Sequence, residues 1–203
     1  MFVSELGPKV VDQLIIPVTE QEQRNRAIAA SRISRTLETR PEKLESFLDA
    51  FKRAEQDGRN GLVLNPQLYA EYSQIVIGEN QDNPWEKRYA DERMQKKSEL
   101  LFKNIYRKTE EEGGLTIETL GELFDRLGLY HLFLDSNTRT SVIAITNILK
   151  QFGYDAPQFP DNTGERFKKL HKKYEGHRKY VSIELLKESL PVVPPSRKDR
   201  SQA

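Results

Sequence analysis

Cysteine is absent from this 203-residue chain, which removes disulfides, thiolate zinc sites and cysteine nucleophiles together. Only three histidines are present, His131, His171 and His177, too few for a multi-histidine metal centre. No charge sign dominates: 32 Lys and Arg stand against 31 Asp and Glu, so no whole-chain field calls for nucleic acid or an anionic membrane. Long apolar runs are missing as well. No stretch approaches the roughly 18–20 residues of a membrane span, and residues 1–18 are interrupted by Glu5, Lys9 and Asp12, unlike a secretory leader. The expectation is a soluble, cytoplasmic chain with no membrane partner, delivery into another cell being the alternative.

What is present argues against general disorder. Charged residues make up 31% and the mean hydropathy is −0.71, but nine Phe, eight Tyr and one Trp are enough to seed a core. Helical spacing recurs along the chain. Residues 19–35 read as an exposed helix. A second helix is expected after Pro41, with Leu44, Phe47, Leu48 and Phe51 inward and a stop at Asp57–Gly58. The segment 58–84 collects glycines and prolines around Gln74, Ile75, Val76 and Ile77, a β-like run expected as a hairpin or extended loop. Further helices are expected over 86–112 and 116–127, the latter capped by Thr116. Another follows Asn137, read as its N-cap, and closes at Gly153. A basic helix over 165–179 and a short helix over 182–189 complete the chain, leaving 191–203 as a disordered tail.

Chemistry concentrates ahead of the long helix. His131-Leu132-Phe133-Leu134-Asp135-Ser136-Asn137-Thr138-Arg139 leads into a helix N-terminus, where unpaired amides and the helix dipole favour an anion. A neutral histidine can take a proton near pH 7, a carboxylate suits Mg²⁺, and an arginine can grip phosphate oxygens in bidentate fashion. Phe133, between polar positions, is expected to anchor the loop in the core. Each residue alone has an ordinary structural reading as a cap or junction residue. The combined pattern should arise by chance in on the order of one chain in ten thousand or fewer.

That pattern resembles the Fic/Doc signature H-x-F-x-[D/E]-G-N-G-R-x-x-R, and the resemblance extends over residues 34–157. It implies an all-α Fic-fold helical domain with a short β-hairpin flap. The organisation is then an N-terminal irregular and helical segment (1–33), a catalytic core (34–160, flap about 66–84, motif 131–142), C-terminal basic helices (161–190) and the tail. The implied reaction moves AMP from ATP to a Ser, Thr or Tyr hydroxyl of a target protein. By the same resemblance His131 is the base, Asp135 the Mg²⁺ ligand, Ser136, Asn137 and Thr138 the phosphate-binding loop, and Arg139 the grip on the nucleotide phosphates. Gln74 to Ile77 match the flap that docks the target as an added strand. Glu38, in Ser34-Arg35-Thr36-Leu37-Glu38, matches an inhibitory glutamate.

Three positions depart from the signature: Ser136 and Thr138 replace its glycines and Val142 its second arginine. A Doc-like phosphotransferase, or a Fic-fold effector or binding module with altered chemistry, therefore stays open. So does a second copy of the chain as a partner. The run 166–179 holds seven Lys and Arg against one acid, Glu175. A solvated helix face is favoured there over a nucleic-acid surface.

Overall fold

The computed structural model describes residues 19–34, 41–78, 91–133 and 136–197. Among them are eight α-helices: α1 (Glu20–Ser31), α2 (Leu44–Arg59), α3 (Pro66–Ile77), α4 (Glu92–Glu111), α5 (Ile117–Tyr130), α6 (Asn137–Gln151), α7 (Thr163–Lys173) and α8 (Arg178–Ser189). A 3₁₀ turn at Pro41–Lys43 leads into α2. The expected all-α architecture is the observed one.

Local chemistry explains most of the boundaries. The Thr19 hydroxyl accepts from Glu22 N at 3.2 Å, the Asp91 carboxylate from Met94 N at 2.8 Å, and the Thr116 hydroxyl from Thr119 N at 3.3 Å. The segment read as a flap is different. Gln74, Ile75, Val76 and Ile77 form the last turn of α3, not an extended strand. Asn65 caps that helix by accepting from Leu68 N at 2.9 Å, and Pro66 occupies its first turn. Tyr69, Tyr72, Ser73 and Val76 lie buried at three- and four-residue spacing, so tertiary burial overrides the β-branched bias of the run. The remainder of the expected flap, from residue 79 on, lies outside the described residues.

Helix α6 is the central element. Val142, Ile143, Ala144, Ile145, Ile148 and Leu149 are all buried, so the helix is apolar around nearly its whole circumference and is wrapped by α1, α2, α3 and α5. Gly58 shows how closely α2 crosses it. A Cβ at that position would lie 2.3 Å from the Asn147 carbonyl oxygen. Gly58 therefore sits inside α2, which runs on to Arg59, as a contact glycine and not as the stop expected there.

Polar groups tie the same helices together. The Tyr72 hydroxyl donates to Asp57 Oδ2 at 3.1 Å and accepts from Asn147 Nδ2 at 3.0 Å, and burial pushes the Tyr72 hydroxyl far above its ordinary pKa. Buried Glu55 on α2 faces Arg26 of α1 and Lys150 of α6 at 3.5 and 3.6 Å.

The C-terminal third departs from expectation twice. The basic helix stops at Lys173 because Glu175 turns left-handed (φ 48°); Gly176 N then bonds His171 O and Glu175 N bonds Lys172 O, the double closure of a Schellman turn. Helix α8 then begins at Arg178. The tail is docked as far as Arg197: Ile117 N donates to Pro195 O at 3.2 Å, and Arg197 Nε donates to Glu112 Oε1 at 2.7 Å. Disorder was expected of a Pro-rich, polar segment, but the acids flanking Thr116 give it an anchor. No helix among the described residues is long and apolar enough to cross a membrane.

Candidate functional site

The loop between α5 and α6 is held from below. The Phe133 ring is buried with its centroid 4.9 Å from that of Tyr69. Asn137 then clamps the loop onto this anchor: its Oδ1 accepts from Phe133 N at 2.9 Å and its Nδ2 donates to Phe133 O at 2.7 Å. Asn137 is thus the first residue of α6 and a loop clamp, not the N-cap. Its amide side chain, expected in a phosphate-binding loop, faces the backbone of its own loop.

Ser136 is the N-cap and carries no side-chain capping bond. Its backbone is left-handed (φ 66°, ψ 5°), the region glycine enters most easily, and it stands where the Fic signature has glycine. Its hydroxyl is buried between Ser73 Oγ at 3.0 Å and Thr140 Oγ1 at 3.1 Å, a contact glycine could not make. The hydroxyl chain joins α3, the loop and α6.

Arg139 points inward. It is only 1% exposed and donates from a guanidinium nitrogen to Val76 O at 3.2 Å, in the last turn of α3, where a cation is favoured by the helix dipole. Arg139, expected to grip nucleotide phosphates, has its guanidinium in the core. Val142 is buried as well. Asp135 and Glu38, expected as metal ligand and inhibitory residue, lie outside the described residues.

Of the described residues expected in catalysis or phosphate binding, His131 and Thr138 are the exposed ones. His131 ends α5 in a left-handed conformation (φ 44°) and is exposed. Both line a cavity of about 650 Å³. Asp125, Gly128 and His131 share one face of α5 by their three-residue spacing, and Thr138 and Ser141 line the cavity from α6. The far wall comes from α7 and α8, with Phe167, Lys168 and Arg178, and Arg32 enters from the end of α1.

Phe167 and Arg32 were not singled out from sequence, and Asp125 was given no role in the site. The basic run carried a signal for Lys168 and Arg178, but nothing in it tells an outward lysine from one over a cavity. Arg178 Nε lies 3.6 Å from Asp125 Oδ1, an oxygen that is buried and has no hydrogen-bond donor among the described residues. Burial raises the Asp125 carboxyl above the ordinary aspartate value, with the Arg178 charge opposing. Asp125 faces a guanidinium, and no group of three His, Cys, Asp or Glu side chains with metal-holding geometry exists among the described residues. These residues do not by themselves make a magnesium site.

No protein-family model matches the sequence. No curated protein matches it either. Solved structures do. The crystal structure of IbpAFic2 matches with a TM-score of 0.61 and 21% identity, over 89% of this chain and 63% of that one. IbpAFic2 covalently tethered to Cdc42 matches with a TM-score of 0.59 and 21% identity, over 85% and 64%. A histidine-to-alanine variant of IbpAFic2 in complex with adenylylated Cdc42 matches with a TM-score of 0.59 and 20% identity, again over 85% and 64%. The chain therefore spans about 63–64% of the length of the structures it matches. Eight described helices with α6 buried among α1, α2, α3 and α5, a histidine at the preceding loop and this shared architecture identify the fold of the chain as that of a Fic domain.

Proposed function

We propose that the protein is an adenylyltransferase that moves AMP from ATP to a Ser, Thr or Tyr hydroxyl of another protein. The observation that carries this reading is the placement of His131: exposed at the end of α5, on the cavity that the first turn of α6 also lines through Thr138. The likeness to IbpAFic2, described in one structure with adenylylated Cdc42, supports the same chemistry.

In this reading the His131 imidazole takes the proton of the incoming hydroxyl. The hydroxyl oxygen bonds to the α-phosphorus, the bond from that phosphorus to the bridging oxygen breaks, and pyrophosphate leaves with the electron pair. The amides of the first turn of α6 have no acceptor within the helix and favour the developing negative charge. Phe133 and Asn137 keep that turn fixed. Mg²⁺ would accompany the triphosphate, with Asp135 as its expected carboxylate.

The test is a reaction with α-³²P-ATP and Mg²⁺ in a cell lysate, comparing wild type with His131→Ala. Labelled protein with wild type and at least about a hundredfold less with the variant is expected for loss of a general base. Equal labelling by both would overturn the role of His131.

A further inference from the structure

Two signature positions on α6 face the core in this chain: Arg139 is buried against Val76 O and position 142 is a buried valine. Cations nevertheless gather on the same cavity as His131, from other elements. Lys168 comes from α7, Arg178 from α8 and Arg32 from the end of α1.

They differ in how far they are committed. Arg32 donates to Phe159 O at 3.2 Å and lies 2.7 Å from Asp161, so it is anchored at the cavity rim. Arg178 makes one long ion pair, 3.6 Å from Asp125, and Lys168 has no ion pair among the described residues. Two cations on adjacent helices facing one hollow suit a ligand with several negative oxygens.

The hollow asks for more than an anion. The Asp125 side chain is only 11% exposed, and its buried Oδ1 lacks a hydrogen-bond donor among the described residues. A carboxylate in that position is costly until a donor reaches it. Phe167, 40% exposed, presents an aromatic ring on the same wall. Phosphate oxygens, hydroxyl or amino donors and a flat ring occur together in a nucleotide.

Resting on the adenylyltransferase reading, we infer that the cavity takes its nucleoside polyphosphate from the α7–α8 wall: Lys168 and Arg178 hold the phosphates, Asp125 accepts a hydrogen bond from the sugar or base, and Phe167 stacks on the base. The side-chain cations that grip phosphate then come from the two C-terminal helices, while the motif helix contributes its first-turn amides.

The experiment is isothermal titration of the full chain with ATP, pyrophosphate and adenosine, in Mg²⁺, using wild type, Lys168→Ala, Arg178→Ala and Asp125→Leu. Circular dichroism melts confirm that each variant is folded. Lys168→Ala and Arg178→Ala should each weaken ATP about tenfold, while Asp125→Leu should weaken ATP and leave pyrophosphate unchanged. ATP binding equal to wild type in both folded cation variants overturns the inference but leaves the adenylyltransferase reading standing. Pyrophosphate binding that depends on Lys168 and Arg178, in a protein that transfers no AMP, keeps the cation wall and removes the transferase. Failure of wild type to bind any of the three overturns both.

Discussion

At the scale of single residues, the site is a set of compromises around one loop. Ser136 accepts a left-handed backbone at a cost of about 1 kcal/mol, and its hydroxyl joins Ser73 and Thr140 in the core. Ser136→Ala keeps the strain and loses the hydroxyl, so it should destabilise the protein by about 1–2 kcal/mol. Ser136→Gly loses the hydroxyl but relieves the strain, and should stay within about 0.5 kcal/mol of wild type. Urea denaturation of the two variants checks the order, and an alanine variant as stable as the glycine variant would contradict it. The pattern from His131 to Arg139 was legible in the sequence, because spacing alone reveals it. The direction of Arg139 was not: whether an arginine on a helix points to solvent or core depends on what packs against that face, here the end of α3.

At the scale of elements, close crossings and docked ends set the stability. Gly58→Ala would drive a methyl into the Asn147 carbonyl, backbone that cannot step aside, and should cost about 3 kcal/mol. Gly61 is the control. It has φ 71° and open space around it, so Gly61→Ala should cost only about 1 kcal/mol of backbone strain. Thermal melts of both variants read the difference.

The docked tail adds a pH dependence. Burial opposes the Glu112 charge, yet hydrogen bonds from Thr116 and Thr119 and the Arg197 charge outweigh it and hold the carboxyl below its ordinary value of 4.5. A depressed carboxylate contributes stability above that value and loses it as pH falls through the folded one. The melting temperature should therefore fall more steeply below about pH 4.5 in wild type than in Arg197→Ala. Parallel slopes would contradict the anchor. The helices were legible from caps and apolar spacing. The α3 helix was not, because β-branched residues beside Gly78 and Pro84 imitate a strand until the buried Tyr69, Tyr72 and Val76 face is seen.

At the scale of the whole molecule, a buried α6 places the loop that follows α5 on a cavity whose other walls arrive from both ends of the described chain. Arg32 precedes the loop by about a hundred residues and Arg178 follows it by nearly fifty, which is why neither could be assigned to the site from the linear pattern. The fold was legible because one loop pattern pointed to it; the cavity was not, because it is assembled from four helices and the end of α1, whose crossing no local rule specifies. The shared architecture with IbpAFic2 and the position of His131 make transfer of a nucleotide the central claim.

That claim is tested most directly by following which phosphorus of ATP ends on protein. Parallel reactions with α-³²P-ATP and γ-³²P-ATP, wild type and His131→Ala, should place label on protein from the α position only, release pyrophosphate, and lose the signal in the variant. Label from the γ position alone would make the protein a phosphotransferase and contradict the account, and label that survives His131→Ala would remove the histidine from its centre.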